Sequence, residues 1–215
     1  MIRTLSPLLL SACVLAGAIV LEAPVRAADA PAPAAKPPPT PPMPPLPMAS
    51  AAMLATHCAG CHGNDGASLG PASPSIGGLD RDYFIKTMQA FKSGKRHATV
   101  MGRIAKGYTD DEIKAMAGYF ASKKWVPQAQ ATDAAKVAKG RILHQKHCQK
   151  CHEDNSRVTD EGGTILAGQW MPYLVFQMED FATGKTTTQI KKYETIRGLT
   201  AEEIDALLQF YVSQR

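Results

Sequence analysis

Two short groups of cysteine and histidine residues carry the chemistry that this sequence offers. Both follow the pattern Cys-x-x-Cys-His, and the second begins ninety positions after the first: Cys58, Cys61 and His62, then Cys148, Cys151 and His152. Two thiols three positions apart lie on one side of a helical turn, where they can form thioether bonds with the two vinyl groups of one porphyrin. The adjacent histidine can then ligate the iron. The sequence therefore predicts two covalently bound haem c groups.

Other uses of paired cysteines fit this spacing less well. Structural zinc sites usually hold their Cys-x-x-Cys pairs about 12–20 residues apart, whereas most of a domain separates Cys61 from Cys148. A thioredoxin-like pair lies between a strand and a helix, and no alternating strand pattern surrounds either motif. Disulfide bonds within Cys-x-x-Cys rarely staple a fold. Haem attachment is therefore the favoured interpretation.

The composition is that of a globular protein with small apolar domains. Hydrophobic residues make up 45% of the 215 residues, but aromatic residues only 7%. A porphyrin would supply the large apolar group that each domain otherwise lacks at its centre. The formal net charge of +5 is mild, and because no basic run or aromatic stripe accompanies it, we expect no nucleic-acid partner.

The N-terminus has the features of a cleaved secretory signal over residues 1–27. Arg3 supplies the positive charge, Leu5–Leu21 is the apolar segment and Val25–Ala27 is a small-x-small cleavage site. An apolar segment of 17 residues is short for a membrane span, so we expect no integral span in the mature protein. Acylation of Cys13, giving a lipoprotein, is a less favoured alternative. Because c-type haem is attached outside the bacterial inner membrane, the expected location is the periplasm.

The rest of the chain divides into a spacer and two homologous units. Residues 28–49 are dominated by proline and alanine, which predicts either a semi-rigid polyproline II spacer or a disordered arm. Shifting the sequence on itself by 90 positions aligns many residues besides the haem motifs, and the shift becomes 91 towards the end of each unit. Duplication of a unit with its own cofactor accounts for this alignment. We therefore predict domains at 50–126 and 134–215, joined by a linker at 127–133.

Periodicity and capping residues predict an all-α domain in each unit. Asp80, Thr109, Asp133 and Thr200 are the expected N-caps, and the two threonines begin capping boxes. Between Gly63 and Leu79, glycine, proline and serine predict an irregular loop along one haem edge. The expected helices span residues 50–61, 81–92 and 110–122 in the first unit and residues 134–151, 171–183 and 201–213 in the second.

The sixth iron ligand is predicted to differ between the two units. Met101 lies between the second and third expected helices of the first unit, where a returning loop can present its thioether to the distal face. The counterpart in the second unit is Lys191 at a shift of 90 or Lys192 at a shift of 91, and a neutral lysine amine can ligate iron. An open five-coordinate haem and ligation by Met171 are the alternatives.

Several longer segments resemble a known family. They are Gly70–Ile76, Phe91–Gly94, Met101–Tyr108, Met116–Phe120 and Ile165–Trp170. Together they resemble the dihaem cytochrome subunit of flavocytochrome c sulfide dehydrogenase and, more widely, the cytochrome c4-like dihaem proteins. The likeness covers about Ser50 to Arg215. It implies an all-α fold of two tandem class I cytochrome c domains, each around one covalent haem.

The resemblance also implies a partner and a set of site residues. In that family, an FAD-containing flavoprotein oxidises sulfide and passes electrons through the cytochrome subunit to a small cytochrome c or similar acceptor. The family pattern carries over to the two cysteines and the histidine of each motif and to Met101. The absence of a methionine near Lys191 departs from the pattern and leaves the potential of the second haem open.

Three functions remain in competition. The leading hypothesis is an electron-carrying subunit of a sulfide:cytochrome c oxidoreductase, without catalytic residues of its own. The second is a free cytochrome c4-like shuttle that serves a terminal oxidase. The third is a dihaem enzyme that oxidises a small sulfur anion. Such an enzyme would be expected to use a cysteine ligand, and the mature chain has no cysteine outside the two motifs.

Overall fold

The computed structural model describes residues 47–157, 164–186 and 190–215, except for the side chains of residues 190–193. The predicted signal peptide at 1–27 and nearly all of the predicted spacer at 28–49 lie outside the described residues. Across the described ranges the fold is helical and contains no strand, in agreement with the predicted all-α class. One isolated antiparallel bridge joins Arg96 to Thr186.

The first unit has two long helices and three short ones. Asp80 caps its longest helix by accepting a hydrogen bond from the Tyr83 amide, and Gly94 ends that helix at a φ of +78°. Both hydrogen bonds of the predicted Thr109–Glu112 capping box are present. The helices are α1 (Ala51–Thr56), α2 (Ala59–His62), α3 (Arg81–Ser93), α4 (Met101–Ile104) and α5 (Asp110–Ala121), with 3₁₀ turns at Asn64–Gly66 and Ala105–Gly107.

The second unit has a longer first helix, and its short helix α7 corresponds at the shift of 90 to the 3₁₀ turn Asn64–Gly66 rather than to α2. Asp133 and Thr200 cap the helices that the sequence assigned to them, and Thr200 again forms a full capping box, with Glu203. The helices are α6 (Ala134–His147), α7 (Glu153–Ser156), α8 (Met171–Ala182), α9 (Ile190–Arg197) and α10 (Ala201–Ser213). Neither α4 nor α9 was expected from the sequence, which indicated loops in both places.

Both helices predicted to run through the haem motifs end earlier than expected. In the first unit the amides of His57 and Cys58 bond to carbonyls three residues back, which tightens the last turn and ends α1 before the motif. In the second unit the predicted helix 134–151 stops at His147. The His144 carbonyl accepts hydrogen bonds from both the Cys148 and Gln149 amides, at 2.8 and 2.9 Å, and this shared acceptor turns the chain out of the helix.

The core of the first unit lies where α5 packs against α1 and α3. The face of α5 predicted to point inward is buried, and Ile113 and Met116 have no solvent exposure. The Phe84 and Phe120 rings stack with their centroids 5.5 Å apart. Met88 is also buried in this cluster, which confirms its predicted role in the core.

The core of the second unit centres on the crossing of α6 and α10. A Cβ atom at Gly140 would overlap the Ala206 carbonyl, so only glycine allows the two backbones to approach this closely. Leu207, Phe210 and Tyr211 of α10 are each at most 2% exposed. The repeat therefore uses the same packing scheme with a tighter helix crossing.

The duplication extends to individual backbone hydrogen bonds. One carbonyl accepts two amides in the loop after each motif: Gly66 from Ile76 and Gly77, and Ser156 from Leu166 and Ala167. The amides of Gly78 and Gly168 bond at 2.8 Å to the Phe120 and Tyr211 carbonyls of the last helices. Each of these pairs is related by the shifts of 90 and 91 found in the sequence, so both loops follow the same backbone path.

Extensive contacts join the two units. Leu46–Arg215 form one compact body. The Trp125 Nε1 donates to the Ala167 carbonyl at 2.8 Å, and the Trp170 Nε1 donates to the Ser68 carbonyl at 3.1 Å, so each unit contributes one tryptophan to the other. The boundaries placed at residues 126 and 134 stay a prediction.

Candidate haem sites

The first motif is presented by the short helix α2. The His62 amide donates to the Cys58 carbonyl at 2.8 Å, which turns the histidine away from Cys61 and into the protein. His62 is buried, Cys58 is half-buried and Cys61 is exposed. The cysteines of both motifs are free thiols rather than disulfides. The arrangement leaves one thiol at the surface and places the imidazole inside.

The His62 ring is held in the tautomer that a metal ligand requires. Its Nδ1 lies 2.7 Å from the Pro74 carbonyl oxygen. Because a carbonyl oxygen can only accept, Nδ1 carries the proton and the lone pair of Nε2 points away from this bond. Burial lowers the pKa of His62, against the opposing effect of the Pro74 hydrogen bond, and so favours the neutral ring. A hydrogen bond from the ring nitrogen that does not bind the metal is the usual way to orient a histidine ligand.

The loop that carries Pro74 is fixed by two buried serines. The Ser68 hydroxyl donates to the Ser73 carbonyl at 2.7 Å, and the Ser75 hydroxyl accepts from the Ser68 amide at 3.2 Å. Both serines are at most 1% exposed. Neither spacing nor periodicity marked Pro74, Ser68 or Ser75 as functional residues. Their signals were the glycine, proline and serine content that predicted a loop beside the haem and, for Pro74 and Ser75, their place in the Gly70–Ile76 segment of the family resemblance.

A hydrogen bond from α5 and an ion pair with a lysine just after that helix hold the start of the same loop. Asp65, which has a φ of +56°, accepts a hydrogen bond from the Tyr119 hydroxyl at 2.6 Å and pairs with Lys123 at 2.9 Å. The Tyr119 hydrogen bond, followed by that of Lys123, lowers the pKa of Asp65 and keeps it ionised. The loop is therefore anchored at both ends, next to His62 and at the last helix of the unit.

Met101 is the first residue of α4, between α3 and α5 as the sequence indicated. Its side chain is half-buried and packs against the first core cluster. The other two methionines near this site, Met88 and Met116, are 5% and 0% exposed inside that cluster. Their thioethers fill the core, which leaves Met101 as the methionine at the edge of the cluster. Its role as a ligand stays a prediction.

The second motif lies on an irregular turn rather than a helix. The His152 amide still donates to the Cys148 carbonyl, at 3.0 Å, as in the first motif. Cys148 and His152 both have a φ of −122°, and the three residues at 154–156 have positive φ. Cys148 is half-buried and Cys151 exposed, as in the first unit. The cysteines of the two motifs thus share their burial pattern, whereas His152 is half-buried where His62 is buried, and the local backbones differ.

The candidate sixth ligands of the second unit are only partly described. Lys191 and Lys192 belong to α9, but their side chains lie outside the described residues. Met171 begins α8, where it is half-buried and packs against the second core cluster together with Met178. The Met171 amide donates to the Gln130 side chain at 2.8 Å, which fixes the start of α8. The sixth ligand of the second haem, whether lysine, methionine or none, therefore stays a prediction from the sequence.

Two other kinds of feature are absent from the described part of the chain. No group of three or more histidine, cysteine, aspartate or glutamate residues is placed to hold a metal ion there. No helix within the described ranges is long and apolar enough to span a bilayer. The donors that the fold does bring together are thiols and imidazole, which suit a covalently attached haem.

Comparison with known proteins agrees with this chemistry. A family model for cytochrome c matches residues 48–124. Cytochrome c4 of Pseudomonas aeruginosa is 31% identical over 142 residues, which cover 62% of this chain and 70% of that protein. The cytochrome subunit of sulfide dehydrogenase from Chlorobaculum tepidum is 50% identical over 68 residues, which cover 32% of this chain and 61% of that protein.

A solved structure shows the same fold. It is that of reduced recombinant cytochrome c4 from Pseudomonas stutzeri, with a TM-score of 0.69 and 24% identity over 77% of this chain and 97% of that one. The fold and the motifs therefore define a c-type cytochrome, a class whose cofactor is covalent haem c. Within that class, the chain belongs to the cytochrome c4-like family of dihaem electron-transfer proteins. The predicted fold of two tandem class I cytochrome c domains is confirmed.

Proposed function

We propose that this protein carries two haem c groups and relays electrons in the periplasm from an FAD-containing sulfide dehydrogenase subunit to a small cytochrome c or similar acceptor. The observation that carries the proposal is the single compact body in which the two motif-bearing units are joined. A fixed separation between two redox centres is what an electron relay requires. The relative named as the cytochrome subunit of a sulfide dehydrogenase supports the choice of donor.

The proposed ligand sets follow from the residues of each unit. Cys58 and Cys61 would hold the first haem by thioether bonds, with His62 and Met101 as axial ligands. The second haem would be held by the two cysteines of its motif, with His152 as one axial ligand and Lys191 or Lys192 as the other. When bound, each haem supplies a one-electron couple whose potential depends on its axial ligands.

The protein supplies orientation and a dry environment. The Pro74 carbonyl fixes the rotation of the His62 ring, and the buried serine network fixes Pro74. The core beside the site is closed by the stacked Phe84 and Phe120 rings. Few water molecules can then reorient when the charge of the site changes, so electron transfer needs little rearrangement. Exposure of Cys61 and Cys151 leaves a thioether edge of each haem accessible to a partner.

The test is reconstitution with the flavoprotein. The purified holoprotein alone should not reduce an added cytochrome c with sulfide, and activity should appear when the flavoprotein is added. Co-purification from the native source should yield bound FAD in proportion to the haem. Rapid turnover of sulfide or thiosulfate by the isolated chain would instead favour a dihaem enzyme.

A free electron shuttle is the second candidate function. It is favoured by the length of the match to cytochrome c4, which covers 70% of that protein. The two candidates differ in the stability of the complex. A subunit should co-elute with its flavoprotein during gel filtration, whereas a shuttle should elute alone and still be oxidised rapidly by membranes that contain a terminal oxidase.

A further inference from the structure

A buried histidine and a buried tyrosine lie next to the second motif, where the first unit has apolar side chains. His144 of α6 and Tyr211 of α10 are each 1% exposed, and the His144 Nδ1 lies 3.4 Å from the Tyr211 hydroxyl oxygen. The shifts of 90 and 91 place Leu54 and Phe120 at the equivalent positions of the first unit. The pair is therefore a polar feature that distinguishes the two sites.

The Tyr211 hydroxyl also reaches the first cysteine of the motif. Cys148 packs against the same core cluster, and a hydrogen bond joins its side chain to this hydroxyl. Burial, followed by the neighbouring Cys148 thiol, raises the pKa of Tyr211 well above its ordinary value, so the hydroxyl keeps its proton. One O–H group therefore lies between the His144 ring and a sulfur that would form a thioether bond.

Aromatic contacts hold the His144 ring in place. Its centroid lies 5.1 Å from that of Phe210 and 5.7 Å from that of Tyr211, whose ring it meets edge to face at 89°. The Arg141 guanidinium lies over the same Phe210 ring, 5.3 Å from its centroid. Burial, and then the charge of Arg141, lowers the pKa of His144 and so favours the neutral ring. A neutral imidazole donates from one nitrogen and accepts at the other.

The second ring nitrogen of His144 decides which way these hydrogen bonds run. Among the described residues its Nε2 has no hydrogen-bond partner, and the atom is buried. A buried N–H without an acceptor is rarer in native proteins than a buried acceptor without a donor. The proton is therefore assigned to Nδ1, which donates to the Tyr211 oxygen. The Tyr211 hydrogen is then available to the Cys148 sulfur.

We propose that Tyr211 donates a hydrogen bond to the Cys148 sulfur of the attached second haem, that His144 holds the hydroxyl in this direction, and that the pair raises the reduction potential of that haem alone. This inference rests on the proposed binding of haem at the second motif. A thioether sulfur has no proton and can only accept, so attachment leaves one direction for this bond. Tyr211 and His144 are positioning residues, since they act on the iron through the sulfur and the porphyrin.

The sign of the effect follows from the direction of the O–H group. Its positive hydrogen end points at a sulfur that is bonded to the porphyrin, and reduction adds an electron to the haem. The dipole therefore favours the reduced form. Hydrogen bonding around a haem is one of the means by which a protein sets its potential. Phe120 has no donor, so the first haem receives no such bond from the equivalent position.

The experiment is a spectroelectrochemical titration of the holoprotein and of Tyr211→Phe, which introduces the side chain found in the first unit. The reduction equilibrium constant of the second haem should fall about twofold or more, which is roughly 18 mV at about 59 mV per tenfold change. That of the first haem, identified as the haem that remains in Cys148→Ala/Cys151→Ala, should stay unchanged. In resonance Raman spectra the thioether C–S stretching band of the second haem should shift.

A double-mutant cycle tests the role of His144. His144→Leu should lower the second potential in the parent protein but cause no further shift in Tyr211→Phe, because the histidine acts through the tyrosine. A rise of the second potential in His144→Leu would mean that the ring accepts from Tyr211 and draws the hydroxyl away from the sulfur, which would overturn the inference. Val212→Ala is the matched control, because it removes buried apolar volume next to Tyr211 on α10; stability should fall while both potentials stay unchanged.

The remaining outcomes separate this inference from the proposed function. Two haems per chain and normal reduction by the flavoprotein, with an unshifted second potential and C–S band in Tyr211→Phe, would refute the inference and leave the proposed function standing. Equal shifts of both haems would show a general structural effect and also overturn the inference. A shift of the second potential alone, in a holoprotein that the flavoprotein fails to reduce, would support the inference and refute the proposed donor.

Discussion

Gln169→Leu should weaken the first haem site from the opposite unit. The Gln169 side chain is 3% exposed. Its Oε1 accepts from the Ser75 amide at 2.9 Å, and its Nε2 donates to the Ser75 carbonyl at 3.0 Å. Ser75 follows Pro74, whose carbonyl orients His62. Leucine has a similar volume but can make neither bond, and it also loses the hydrogen bond that Oε1 accepts from the Trp170 amide at 3.0 Å.

The magnitude follows from the three backbone groups that would be left without partners, of which the two of Ser75 are buried. A buried group that loses its hydrogen bond costs about 1–3 kcal/mol, so the amide and carbonyl of Ser75 together give roughly 2–6 kcal/mol. Since a domain of this size is stable by about 5–15 kcal/mol, the change should be large. The loosened loop should also let the His62 ring rotate away from its present orientation.

The assay is denaturant unfolding of the holoprotein, followed at the Soret band. Near-infrared spectra of the oxidised protein should show a weaker Met–Fe(III) band from the first haem. Gln89→Leu, which changes an exposed glutamine of α3, is the control. It should change the free energy of unfolding by no more than about 0.5 kcal/mol and leave the near-infrared band unchanged. A stability loss below about 1 kcal/mol for Gln169→Leu, with an unchanged band, would refute the role assigned to this contact.

Two further predictions concern the second unit. One of the two variants Lys191→Ala and Lys192→Ala should convert the second haem to a high-spin form. Acid should do the same in the parent protein, because a lysine ligand must be neutral and a free lysine has a pKa of about 10.4. Unchanged spectra in both variants would exclude lysine ligation. Burial, and then the charge of Arg141, lowers the pKa of His144 in the folded protein. As the pH falls through the ordinary histidine pKa, the unfolded state therefore binds more protons than the folded state, and the protein becomes less stable. His144→Leu introduces the residue found at the equivalent position of the first unit, Leu54. The unfolding midpoint of this variant should change less between pH 7 and 5 than that of the parent, and an equal change in both proteins would contradict this.

The parts of the fold that depend on local sequence were predictable. The capping boxes at Thr109 and Thr200 each need only two residues three positions apart, and both formed as expected. The duplication was visible because the shift of 90 aligns glycines that occupy positive φ in both units, such as Gly78 and Gly168. The cysteine spacing and the histidine that follows each pair indicated the haem chemistry.

The features that were missed depend on particular hydrogen bonds and contacts that composition and periodicity do not specify. The direction of the Pro74 carbonyl is set by a serine network within a loop, and loops of this composition can follow many paths. The pairing of Arg96 with Thr186 arises only when the two units dock. The end of α6 at His147 depends on one carbonyl that accepts two amides, a choice that helical periodicity does not encode.

Haem stoichiometry is the most direct test of the central claim that this chain holds two haem c groups in one body. The pyridine haemochrome of the mature protein should give two haems per chain, and both should survive denaturing electrophoresis. The double variant Cys148→Ala/Cys151→Ala should retain one haem, together with the near-infrared band assigned to Met101. A ratio near one for the parent protein, or zinc in its metal analysis, would contradict the account.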